Sequence, residues 1–131
     1  MYQIIRKYPL SLLICVAIWV VCFIDLPETP LDDVSLIDKW THVAMYLVLC
    51  LALWWERLRA HAYNNKVWVA TWGGLFPLLM GGVIEILQAY CTGGRRSGDW
   101  IDFLADAVGV LLAQLICIPL ALHLSKRHKE R

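Results

Sequence analysis

Glu85 to Gly109, EILQAYCTGGRRSGDWIDFLADAVG, places a polar hairpin between two stretches apolar enough to cross a membrane. An ionisable side chain facing lipid near a bilayer centre costs about 2.5–3.5 kcal/mol on insertion scales. The chain must therefore turn these groups toward one another or toward water. Their spacing allows it. Glu85 and Gln88 lie three residues apart, and Asp99, Asp102 and Asp106 follow at intervals of three and four, which puts each set on one face of a helix.

Composition agrees with a membrane setting. Over 131 residues, 60% are hydrophobic, 18% are charged, and the mean hydropathy is +0.58, too apolar for a soluble domain of this size. There is no basic stripe that would read nucleic acid. Of the five cysteines, Cys15, Cys22, Cys50 and Cys117 sit in apolar runs, and no pair has C-x-x-C spacing. They read as small core residues, outside any disulfide or zinc site.

Four apolar runs, approximately 8–24, 39–55, 67–90 and 100–124, predict an all-α fold: an integral membrane four-helix bundle occupying residues 1–131 as a single domain. The first run follows Arg6 and Lys7 but continues past the length of a signal-peptide core, so it reads as a span. Asp25 to Asp38 carries five acids and two prolines with no base, and is expected as an exposed loop. Asn64-Asn65 marks a turn, and Pro77 should bend the third span. Ala105, Gly109 and Ala113 form a small-residue packing stripe on the fourth, which ends in the basic tail SKRHKER.

Charge sets the expected orientation. With both termini cytoplasmic, nine of the twelve Lys and Arg residues fall inside, and only Lys39, Arg95 and Arg96 fall outside. Nine of the eleven acids then lie outside or in the outer half, all but Glu56 and Glu130. Tyr8, Trp54, Trp55, Trp68 and Trp72 are expected at the inner interface, and Trp40, Tyr90 and Trp100 at the outer one.

Measured from the outer helix ends at 1.5 Å per residue, His42 lies about 5 Å deep and Tyr46, Glu85 and Asp106 about 9–10 Å deep. Three helices thus bring polar groups to one layer. On a catalytic reading, His42, Glu85 and Asp102 carry acid–base chemistry. Asp38, Lys39, Tyr46, Gln88, Arg95, Arg96, Asp99 and Asp106 form the ligand-binding wall, and the carboxylates are a candidate holder of a divalent cation. Blander readings exist for each group alone: Asp99 as an N-cap, His42 as the partner of a carboxylate, Tyr46 as packing, Arg95 and Arg96 as headgroup anchors. Glu85 and Asp106 at depth resist them. No nucleophile with a positioned base is evident, so enzymatic activity stays open.

Asp38-Lys39-x-x-His42-x-x-x-Tyr46, Glu85-x-x-Gln88 and Arg96-x-x-Asp99-x-x-Asp102-x-x-x-Asp106-x-x-Gly109 together resemble the VanZ-like family of small bacterial membrane proteins. One departure is Asp106, where that family commonly has Asn. The resemblance implies a multi-pass protein of the bacterial cytoplasmic (inner) membrane linked to glycopeptide (teicoplanin) resistance. Its expected partners are membrane lipids or a lipid-linked cell-wall precursor at the outer leaflet. A pocket that binds such a headgroup is the expected function, with an enzyme acting on a lipid-linked phosphate as the alternative.

Overall fold

A computed structural model describes residues 2–24, 36–60, 65–94 and 98–130. Every element among them is helical. A short helix α1 (Tyr2–Lys7) is followed, across Tyr8, by α2 (Pro9–Phe23). The long helix α3 spans Ile37–Arg59. Next, α4 (Lys66–Ala70) runs through a π-helical turn at Thr71–Leu75 into α5 (Phe76–Cys91), and α6 (Trp100–Lys129) closes the chain.

Three helical stretches, Ile37–Arg59, Lys66–Cys91 and Trp100–Lys129, are long and apolar enough to cross a membrane. The first predicted span is a shorter apolar helix of 15 residues, about 22 Å against a hydrocarbon core of about 30 Å. Helix α6 also runs past the predicted end at residue 124, taking most of the basic tail with it. No breaker interrupts SKRHK, and Lys and Arg are good helix formers whose charge suits a helix C-terminus. The third span carries a π-helical turn that was not expected, ending at Leu75, one residue before Phe76-Pro77 opens α5. Most of the acidic loop (residues 25–35), Asn64, Arg95 and Arg96 lie outside the described residues.

Among the described helices, the interface between α3 and α6 is the most extensive. The predicted small-residue stripe makes it, with Ala105, Gly109 and Ala113 all buried and Cys117 and Ala121 continuing the same face. At Gly109 the helices nearly touch: a Cβ there would sit 2.5 Å from the Val43 carbonyl and 3.0 Å from the Leu47 nitrogen. Only hydrogen fits at this crossing. That approach carries the next turn of α6, with Asp106 and Asp102, onto the face of α3 that holds His42 and Lys39. Helices α2 and α5 pack around this pair.

The aromatic residues divide differently from the expected belts. Trp40, Tyr90 and Trp100 are exposed at one end, and Trp55 and Trp72 near the other. Trp54 and Trp68, however, are buried edge-to-face against each other with ring centroids 5.2 Å apart, and Arg57 stacks over the Trp68 ring at 4.6 Å. They are core rather than interface, because α3 and α4 present them inward. None of the five cysteines is in a disulfide.

Candidate functional site

At the acidic end of the bundle, α3, α5 and α6 each contribute one stripe of polar residues. The lower part of the layer is buried. His42 Nδ1 lies 2.8 Å from Asp106 Oδ1, both residues shielded from solvent. Beside them, a methyl added at Gly81 on α5 would lie 2.5 Å from Asp106 Oδ2 and 3.1 Å from the Tyr46 hydroxyl. The missing side chain on α5 leaves room for these two oxygens from α6 and α3.

The rim is an ion-pair network. Lys39 Nζ donates to Asp99 Oδ2 at 3.0 Å and to Asp102 Oδ1, and lies 3.5 Å from Asp38. Asp99 is also the N-cap of α6: its Oδ1 accepts the Ile101 N–H at 2.9 Å. That bond, with Lys39 beside it, holds the Asp99 carboxyl below the usual carboxylate range. One oxygen of Asp99 therefore serves the cap and the other accepts from Lys39.

Glu85 ties α5 to the start of α6. Its Oε2 accepts the Asp99 backbone N–H at 2.9 Å. Gly98 permits this, since a Cβ there would collide with the Glu85 carbonyl. The other oxygen, Glu85 Oε1, is buried without a hydrogen-bond partner, as is the Tyr46 hydroxyl. Gln88 turns elsewhere: its Nε2 donates to the Cys22 carbonyl at 2.8 Å, fastening α5 to α2.

The structure thus brings together Asp38, Lys39, His42, Tyr46, Glu85, Asp99, Asp102 and Asp106. Five carboxylates face one ammonium and one imidazole, so the layer is strongly acidic among the described residues. Two triplets have ligand atoms within 4.8 Å of one another, as a metal ion would need: His42, Glu85 and Asp106, and Asp38, His42 and Asp102. No family model, no curated protein and no solved structure matches this chain.

An apolar groove of about 620 Å³ runs beside the layer between α5 and α6. Leu75, Leu79, Val83, Ile86 and Phe103 line its length, and Glu85, Asp99, Tyr90 and Trp100 stand at its polar end. From Leu75 to Tyr90 it extends about 22 Å along α5, longer than the roughly 15 Å half-thickness of a hydrocarbon core.

Two polar clusters escaped the reading of the sequence. At the basic end, Glu56 on α3 accepts the Leu10 N–H at 2.7 Å, the Ser11 N–H at 3.2 Å and the Ser11 hydroxyl, capping α2 from another helix. Further in, Gln114 accepts from Trp54 Nε1 at 3.1 Å and donates to the Gly73 carbonyl in the π turn. Pro9 at a helix start beside Ser11 was the one available signal for the first; a lone glutamine offered none for the second.

Proposed function

We propose that this protein is a four-span, VanZ-like protein of the bacterial cytoplasmic membrane that binds an envelope lipid from the outer leaflet. The lipid headgroup occupies the acidic layer, and its hydrocarbon lies in the groove between α5 and α6. The supporting observation is the continuity of the two: Glu85 and Asp99 belong both to the polar layer and to the end of the apolar groove. An amphipathic molecule has that shape. Charge orients the bundle, with Arg57, Arg59, Lys66 and the basic end of α6 cytoplasmic and the acidic layer outside. The short helix α2 completes four spans, its end capped by Glu56 so that no backbone donor faces hydrocarbon unpaired.

The acidity of the described layer favours a headgroup that presents an ammonium. A lipid-linked cell-wall precursor carries phosphate and would have to draw on Arg95 and Arg96. Glycopeptides act on such precursors outside the membrane, so capturing either the precursor or its neighbouring lipid is a route to the resistance that the family resemblance implies.

A photoactivatable phosphatidylethanolamine in nanodiscs tests the reading. Crosslinks should concentrate on Leu79, Val83 and Phe103, and Val83→Trp, which fills the groove, should remove them. Labelling spread evenly over all lipid-facing helices and unaffected by Val83→Trp would reject it. One observation favours the enzymatic alternative: the His42–Asp106 pair is a buried imidazole held by a carboxylate, an arrangement suited to proton transfer at a headgroup.

A further inference from the structure

Glu85 and Asp106 are 7% and 1% exposed, and neither lies within ion-pair distance of a lysine or arginine among the described residues. Lys39 is already engaged by Asp38, Asp99 and Asp102. A buried carboxylate oxygen without a donor, as at Glu85 Oε1, is expensive, and the buried Tyr46 hydroxyl is a second oxygen without a partner. Both atoms await a partner that no described side chain supplies.

We infer that His42, Glu85 and Asp106 form a binding site for a first-row divalent cation. One ring nitrogen and two carboxylate oxygens, mutually within 4.8 Å, surround a single point. Zinc holds such ligands at about 2.0–2.2 Å, which places two of them about 3.5 Å apart at a tetrahedral angle, a separation inside the 4.8 Å that the three ligand atoms span. An imidazole with only two carboxylates suits zinc or manganese better than calcium, which takes six to eight oxygens. Three protein ligands leave a coordination position open, as in sites where a metal meets water or a substrate. The second triplet, Asp38, His42 and Asp102, is the weaker candidate, because both of its carboxylates are already paired with Lys39 and Asp38 is exposed. The cation also answers the charge excess: two buried carboxylates and a neutral imidazole become a neutral site. The inference stands apart from lipid binding and would survive its failure.

The experiment is zinc binding to tag-free full-length protein in nanodiscs, stripped with chelator and titrated by calorimetry, with X-ray absorption of the zinc-loaded protein. Wild type should bind one zinc per chain, with nitrogen and oxygen neighbours at about 2.0–2.2 Å and no sulfur at about 2.3 Å. Glu85→Gln should weaken binding by more than about 100-fold, beyond the 10–100-fold typical of losing an outer-shell partner. Cys91→Ser, at an exposed cysteine outside the layer, should leave it unchanged. Substoichiometric zinc, sulfur ligation, or a loss that follows Asp38→Asn and Asp102→Asn instead of Glu85→Gln would each overturn the assignment. If Glu85→Gln does not fold, Asp38→Asn and Asp102→Asn still separate the two triplets, and the wild-type spectrum still tests for sulfur ligation.

Discussion

The two ends of this bundle treat buried polar groups in opposite ways. At the basic end, Glu56 receives donors on both of its oxygens and Gln114 uses both halves of its amide, one on Trp54 and one on Gly73. At the acidic end, Glu85 uses one oxygen and leaves the other buried and bare, and the Tyr46 hydroxyl is equally unpartnered. A fully satisfied polar cluster rigidifies a fold and has no capacity for anything else. A cluster with buried valences left over is less stable than it need be, and that shortfall is the mark of a place where a ligand completes the structure. The contrast separates polar residues that hold the helices from those available to hold something else, although both kinds look alike in sequence.

The largest effect should come from the satisfied end. Gln114→Met orphans the Trp54 N–H and removes the main side-chain donor to the Gly73 carbonyl, and should cost about 2–3 kcal/mol in steric-trapping measurements of unfolding. A change near zero would mean that the π turn satisfies itself. Glu56→Ala should follow at about 1–2 kcal/mol, the scale of a lost helix cap, because α2 has no side-chain cap from its own preceding residue. Proteolysis of the segment preceding α3 would report whether the loss is local to α2.

At the acidic end the same measurement should read differently. Glu85→Gln keeps an acceptor for the Asp99 N–H while removing a charge from a crowded acidic layer, so its stability without added metal or lipid should lie within about 0.5 kcal/mol of wild type, or above it. A loss as large as that of Gln114→Met would erase the distinction between the ends. The smallest effect concerns pH. Asp99 has its pKa lowered in the fold by the Ile101 N–H and Lys39, so its contribution is complete above the unfolded carboxyl value of about 4 and disappears as pH falls through the lower folded value. A melting series below about pH 4 should show this decline in wild type and a shallower one in Asp99→Asn.

Much of the acidic layer was legible because it obeys local rules. Spacings of three and four along single helices placed Lys39, His42 and Tyr46 on one stripe and Asp99, Asp102 and Asp106 on another, and the helix rise put Tyr46, Glu85 and Asp106 at one depth. Partnership did not follow from depth. Gln88, one turn from Glu85, commits its amide to the Cys22 carbonyl, and Lys39 chooses the Asp99–Asp102 rim over the deeper Asp106. Trp54 and Trp68 show the same limit. Their positions near span ends suit an interfacial belt, yet both are buried, since hydropathy reports depth along the membrane normal and says nothing of which way a side chain faces.

The sequence by itself determined that the chain is helical, that its long apolar stretches suit a membrane, and that its charges divide into a basic and an acidic end. These properties depend on residue type and on spacings within one helix, and neither needs a neighbour. The tertiary structure alone decided that Gly109 is where α6 meets α3, that Glu56 caps α2, that Gln114 closes the π turn, and that one oxygen of Glu85 is left without a donor. The first three join residues more than a dozen positions apart across a helix contact, the fourth is what such contacts leave over, and the rotation and separation of two helices are set by packing, which no single-helix periodicity encodes.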